Sequence, residues 1–445
     1  MSARSIVRSY LSSPVRMSLA LLLTVLLVFP DLALAQEPAA PCNMTPNTWV
    51  QSSANLTPPG SPSNYGVETF AAAVATVNGT TYLYALGGMN CNTSAGYNCS
   101  SSGTTFQSKV GRATMDPTTG ALGTFAWQDL WTPPNGSGPV GLGRDLCGAI
   151  YTSPTTGKNY IYTVGGDALF AGSTTPVLTN QVWYAQLYPT TGQNNGELLA
   201  WHQAMKADGV TPITLPSALD LEGVAVLNGY LYVIGGSTNV DPTVASGITD
   251  QVWSAQLNPN SGNLMSTGFT SQPAILPPPV GVTYTGGIYK TCPVVDAATN
   301  TIYVAGGQTN NGTSDHLTGT VEFAVQGSGG SLTDGSGHSQ WGSATSLPNG
   351  LTLSSQAVVY NTGIILMGGQ DAVSGTQDTD NVYLGTINSN SVIGWSSLSP
   401  LSTVITGNIE RNAGAANGNF VYSLGGEVSH NGNSSDSTAI YCLEL

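Results

Sequence analysis

The sequence predicts an all-β chain in which six similar four-stranded units close into a circle. Three observations carry that expectation. Six apolar, β-rich segments end in a diglycine: YLYALGG at Gly88, YIYTVGG at Gly166, YLYVIGG at Gly236, TIYVAGG at Gly307, GIILMGG at Gly369 and FVYSLGG at Gly426. Their separations are 78, 70, 71, 62 and 57 residues, the regular spacing of an internal repeat. The sixth unit lacks an outer strand, and the N-terminal end of the repeat region carries a spare one.

The elements follow in chain order. Residues 1–16 hold Arg4, Arg8 and Arg16 and no acid, residues 17–29 are apolar, and Ala33 and Ala35 frame a small-x-small site. This is the layout of a secretory signal peptide cleaved after Ala35, leaving an N-terminal segment 36–46 and a repeat region 47–445. Its apolar run falls short of the roughly 20 residues that span a bilayer, and no other long apolar run exists. A secreted or extracellular protein, with the periplasm included, and no membrane span after cleavage, is therefore expected.

Within each unit a small-residue apolar strand comes first, such as 71–77, 223–227 or 357–360. The diglycine strand follows, its glycines suited to an exit turn at positive φ. The third strand is clearest in NQVWYAQLYPTTG (180–192) and DQVWSAQLNPNSG (250–262), with looser versions at 108–120 and 380–391. Their Pro/Asn/Gly clusters read as hairpin turns. An outer strand marked by Trp127, Trp201, Trp341 or Trp395, or by Phe269, completes the unit. After Gly426 only a third strand, 437–445, remains, and 47–56 with Trp49 supplies the missing outer strand. Such closure leaves no raw edge. Cys42 and Cys442 flank this seam and are expected to form a disulfide fastening the ring.

Diglycines after apolar strands, four strands per unit and an outer Trp resemble the kelch repeat of secreted bacterial type. The resemblance covers residues 47–445 and implies a six-bladed β-propeller. The Arg that usually opens a kelch inner strand is clear only at Arg144; Thr69, Leu219, Tyr289, Thr352 and Asn408 fill the other places.

Chain direction puts the long connections after the diglycines and before the inner strands on one face, where binding residues usually sit. Arg144, Glu222, Tyr289 and Arg411 are expected nearest the axis, with Glu68, Asp145 and Glu410 beside them and Glu222 facing Arg411 across the ring. Arg offers a bidentate clamp for a carboxylate or sulfate and Glu accepts hydroxyl hydrogen bonds. The alternative is that these residues tie neighbouring blades together. Cys91 and Cys99 are expected to close a loop disulfide. Cys147 and Cys292 share one repeat position in non-adjacent blades and are expected to be free thiols, because pairing needs close approach across the channel.

Catalytic material is scarce. His202, His316, His338 and His430 fall outside the inner strands, so no copper or zinc triad assembles and no cofactor or metal is expected. The segment QDTDN (377–381) is a weaker calcium candidate than a capped turn. Only 8% of residues are charged, with 10 Lys+Arg against 24 Asp+Glu. Removing the leader takes away three bases and Asp31, leaving 7 basic and 23 acidic residues and a net charge of −16. Nucleic acid and anionic membrane, which require clustered Lys/Arg, are excluded as partners. The expected function is a non-catalytic binding module for a glycan or an extracellular surface protein, with Tyr65, Tyr97 and Trp131 as stacking candidates. Two alternatives stand beside it: a sugar-processing enzyme resembling the secreted sialic acid mutarotases, and a structural component of a surface assembly.

Overall fold

The computed structural model describes residues 41–42, 45–58, 66–91, 104–106, 109–129, 139–142, 148–170, 177–189, 194–239, 247–275, 287–310, 315–348, 351–352, 355–359, 363–371, 377–388, 391–430 and 433–445. They fall in one compact unit, Ala40–Leu445. The expected leader, Arg144, Asp145, Cys99, Cys147, Tyr65, Tyr97 and Trp131 lie outside the described residues. Among the described residues no helix is long and apolar enough to cross a membrane.

The chain is all-β. Its principal sheets are small and antiparallel, and each diglycine strand is the second strand of one of them. The first sheet runs Ala71–Val77, Thr80–Leu86, Lys109–Met115, Ala126–Asp129, and the second Ala149–Thr152, Asn159–Val164, Val182–Leu187, Leu198–Gln203. The third runs Gly223–Leu227, Tyr230–Ile234, Val252–Gln256, Thr270–Gln272. In the fourth, Val294–Asp296 and Thr301–Ala305 are followed by Val321–Gln326, which pairs with both Leu332–Thr333 and Gly342–Ser343. The fifth runs Ser355–Val359, Gly363–Met367, Val382–Asn388, Ser391–Ser397. The sixth takes three strands from the C-terminal end, Ala413–Asn417, Phe420–Leu424 and Ala439–Glu444, and its outer strand, Val50–Asn55, from the N-terminal end. Val50 sits opposite Cys442, and the expected Cys42–Cys442 disulfide is formed.

The first strands of the sheets stand side by side. Ala71–Val77 lies beside both Ala149–Thr152 and Ala413–Asn417, and Gly223–Leu227 lies between Ala149–Thr152 and Val294–Asp296. Ser355–Val359 in turn lies between Val294–Asp296 and Ala413–Asn417. Alternation sorts their side chains: in Ala71–Val77 the odd-numbered residues are buried between sheets and the even-numbered ones are more open. The open set lines a cavity of about 300 Å³ that includes Ala72, Val74, Ile150, Val226, Val295 and Ala416. The described part of this inner wall is made of small apolar residues, and Glu68, Glu222, Glu410 and Arg411 are not among them.

Two repeated side-chain ties join neighbouring sheets. The tyrosine four residues before the second glycine donates its hydroxyl to the carbonyl of a turn glycine in the next sheet: Tyr84 to Gly196 at 2.8 Å, Tyr162 to Gly262 at 2.6 Å, Tyr232 to Gly330 at 2.9 Å. Tyr422 of the sixth sheet does the same to Gly120 of the first at 2.7 Å. Those four glycines have φ between 68° and 77°, a left-handed turn that aims the carbonyl at the neighbour. The outer tryptophans tie backwards, with Trp49 Nε1 donating to Ser399 O, Trp341 Nε1 to Pro273 O and Trp395 Nε1 to Thr345 O. Buried aromatics and aliphatics fill the space between; Leu83, Ala113 and Met115 of the first sheet, for example, pack with Tyr422, Leu424 and Ile440 of the sixth.

Candidate functional site

The connections after the diglycines hold more order than the sequence suggests. Among the described residues, five of the six diglycines are followed directly by a residue that pairs back with the approach to the inner strand: Met89 with Glu68, Ser237 with Asp220, Gln308 with Tyr289, Gln370 with Thr352 and Glu427 with Glu410. Short hairpins extend from these pairs, such as Gln308–Asn310 with Asp315–Leu317 and Glu427–His430 with Asn433–Asp436. They are short and polar, so neither length nor apolar alternation announces them.

After four of these pairing positions the next residue turns into left-handed backbone. Thr69 has φ 53°, Leu221 60°, Lys290 56° and Arg411 55°. Non-glycine residues rarely adopt that region. The turn is held by a backbone bond across the seam, Thr69 N to Arg411 O at 3.0 Å and Lys290 N to Leu221 O at 3.0 Å. These equivalences correct the expected alignment by one residue in two sheets. Arg411 shares its place with Leu221 and Lys290, not with Glu222 and Tyr289.

The corrected register explains where each candidate lies. Arg411 is partly open to solvent, its side chain 27% exposed, and it gathers carboxylates from both sides of the seam between the sixth and first sheets. Its Nη1 donates to Glu427 Oε2 at 2.9 Å and to Glu68 Oε2 at 3.2 Å, and its Nε lies 3.3 Å from Glu410 Oε1. Glu68 and Glu410 are buried, while Glu427 keeps some exposure. Burial pushes the Glu68 carboxyl up to about 8; Arg411 pulls it down, and Asp436 and Glu427 raise it further. Glu410 is likewise pushed up to about 8 by burial, lowered by Arg411 and Lys290 and raised by Asp378 and Glu427. One oxygen of Glu410, Oε2, has no hydrogen-bond partner among the described residues.

Glu222 does not meet Arg411. It is buried, with its Oε1 against Gly165 of the second sheet, where a Cβ would collide with it. It is the counterpart of Asn412, whose side chain approaches Gly368 of the fifth sheet in the same manner. Glu222 thus stands at the contact between the second and third sheets. Tyr289 is fully buried with Leu221 and Ile248, away from the inner wall, and the Lys290 ammonium lies 5.3 Å from its ring centroid. Lys290 is the cation that the sequence reading passed over. The signal available was its rarity: the expected mature chain holds 7 basic residues.

Cys292 corrects a second expectation. It is in a disulfide and not a free thiol, with its partner outside the described residues. The next residue, Pro293, lines the 300 Å³ cavity. The backbone of Cys91 is in the Met89–Cys91 strand; its expected bond to Cys99 lies outside the described residues. Of the histidines, His202 is on an outer strand against Tyr184, and His338 is bound to Asp334 at 2.8 Å on the surface. His316 and His430 belong to the polar hairpins. Among the described residues no group of His, Cys, Asp or Glu is arranged to hold a metal ion, the QDTDN segment included.

No protein-family model matches this chain, and no curated protein matches it by sequence. By structure it is similar to YjhT, with 14% identity over 86% of this chain and 95% of that one and a TM-score of 0.50. The fold is a β-propeller. At that identity the likeness concerns the architecture alone.

Proposed function

We propose that the chain is a secreted, kelch-type propeller of six blades, closed by its N-terminal strand, that binds a hydroxyl-rich glycan or an extracellular protein through its hairpin-bearing face. Closure is supported by the pairing of Val50–Asn55 with Ala439–Glu444, by the Tyr422–Gly120 tie and by the Cys42–Cys442 disulfide. Export is supported by that disulfide, which belongs to an oxidising compartment.

One observation carries the functional reading: Arg411, a partly exposed cation of this face, is already surrounded by Glu68, Glu410 and Glu427. A guanidinium whose donors face three carboxyl groups is a poor clamp for a further anion, whereas the carboxyl oxygens at the rim accept hydroxyl or amide donors. The ligand favoured is therefore neutral and rich in hydroxyls, or a protein surface that presents donors. A glycan array read for the wild type, Glu427→Gln and Arg411→Ala tests this. Neutral glycans are expected to bind, and Glu427→Gln is expected to weaken them by about tenfold, the equivalent of one charge-assisted hydrogen bond. Preference for sialylated glycans, or binding indifferent to both substitutions, would overturn the site.

The enzyme reading keeps one supporting observation: a carboxyl with a pKa near 8 is suited to general acid–base work at neutral pH. Exchange NMR of neutral and acidic sugars, watching anomer interconversion, separates a ring-opening enzyme from a passive binder.

A further inference from the structure

The polar hairpins stand at the diglycine ends of the strands. At the other ends lie the turn 153–158 of the second sheet and the turn Asn228–Gly229 of the third. A groove of about 500 Å³ opens between these two sheets there. Ile150 and Val226 line both this groove and the 300 Å³ cavity between the inner strands, so the two spaces adjoin.

A difference between repeats accounts for the opening. At the seam between the third and fourth sheets, Gln326 N donates to Asn300 O at 2.8 Å, and the Gln326 side chain spans the gap. Its Nε2 donates to Leu227 O at 3.1 Å and to the Tyr232 hydroxyl at 2.8 Å, and its Oε1 accepts from Asn228 Nδ2 at 2.9 Å. Between the second and third sheets the equivalent place is held by Leu257, whose N–H donates to Gly229 O at 2.8 Å. A leucine side chain makes no such bonds, and the gap stays open. The facing turn of the second sheet is fixed in place. Ser153 Oγ donates to Pro259 O at 2.6 Å and accepts from the backbone N–H of Thr155 at 3.2 Å and of Thr156 at 3.1 Å. The walls are therefore formed before any ligand arrives.

The lining combines two chemistries. Tyr151, Pro154, Leu257 and Pro259 supply apolar surface. Thr155 and Gln256 are exposed, and their side chains make no hydrogen bond among the described residues. None of the described residues that line the groove carries a charge. An ionic ligand would give up water here without meeting a counter-charge. A carboxamide and a hydroxyl each offer both donor and acceptor, which is the complement of ligand hydroxyls. The volume falls in the range of roughly 300–1,000 Å³ typical of small-ligand sites. We propose that this groove is a second binding site, which takes a short neutral saccharide. Its C–H faces lie against the prolines and Leu257, and its hydroxyls meet Thr155 and Gln256. The site is on the face opposite Arg411 and does not depend on the reading given for that face.

Methyl NMR of the full, disulfide-bonded chain labelled at Leu and Val tests the site, with glucose, galactose, N-acetylglucosamine and cellobiose as neutral probes and sialic acid as the charged one. The Leu257 and Val226 methyls are expected to shift saturably with at least one neutral probe and to ignore sialic acid. Gln256→Ala is expected to weaken that binding about fivefold, the scale of one hydrogen bond. Thr155→Trp, which fills the groove from an exposed position, is expected to abolish it, and Glu427→Gln on the other face is expected to leave it unchanged. The two groove substitutions replace exposed side chains and keep the backbone pairing intact. Silence of Leu257 and Val226 towards every neutral probe, an equal response to sialic acid, or a response that survives Thr155→Trp would each overturn the site. A response lost in Glu427→Gln would do the same, by assigning the sugar to the hairpin-bearing face.

Discussion

The third–fourth seam and the sixth–first seam solve one geometric problem with opposite chemistries. Both require a residue at positive φ, Leu221 in one and Arg411 in the other, and both bond its carbonyl to the neighbouring sheet. In the first, Leu221 is buried with Tyr289 and Ile248, and its stability comes from excluded water. In the second, Arg411 holds Glu68, Glu410 and Glu427 together, and stability depends on charge pairing in a largely buried site. The backbone repeat fixes where neighbouring sheets touch. The side chains decide which conditions matter there.

Substitutions can break that contrast. Arg411→Ala leaves the buried carboxyls Glu68 and Glu410 without their cation and is expected to cost about 4 kcal/mol, as removal of one partner from a buried ion pair does. Its loss should be larger at pH 8 than at pH 5, read by denaturant unfolding at both values. Leu221→Ala creates a cavity in the apolar seam and is expected to cost about 3 kcal/mol. The same unfolding experiment should give one value at both pH values; a pH-dependent cost would erase the distinction between the seams. Tyr84→Phe removes only the hydroxyl that reaches Gly196 and leaves the ring buried. About 1 kcal/mol is expected from the lost bond and the orphaned carbonyl, independent of pH and detectable as a small drop in Tm.

Much of the fold is legible in the residues because its signals are strong and repeated. Six diglycine strands place the second strand of each sheet, the outer tryptophans mark their sheets, and Trp49 marks the strand that completes the sixth. The site is less legible, for two physical reasons. First, the distance from the left-handed turn to the diglycine varies with the hairpin between them: Arg411 precedes Gly426 by 15 residues and Lys290 precedes Gly307 by 17. Counting by pattern therefore slipped by one residue and put Tyr289 in the place of Lys290. Second, the turn is occupied by Thr69, Leu221, Lys290 and Arg411, where residue chemistry would lead one to expect Gly or Asn. The polar hairpins beyond the diglycines, such as Glu427–His430, have no buried face to betray them. The disulfide of Cys292 is not legible in the sequence, because repeat position alone does not tell which cysteine lies within bonding distance.

The sixth sheet also orders events in time. Its strand Val50–Asn55 comes before every other described strand in chain order, and Ala439–Glu444, the strand it pairs with, comes after them all. Tyr422 likewise finds Gly120 only across 302 residues, and the disulfide joins residues 400 apart. Bringing such distant segments together carries a loop-closure cost that local hairpins avoid. Until Ala439–Glu444 docks, the edges of Val50–Asn55 and Phe420–Leu424 that it pairs with stand open. The protein passes through a period of vulnerability to mispairing with other copies of itself, which ends when Ala439–Glu444 docks, with the Cys42–Cys442 bond then recording that the docking was correct.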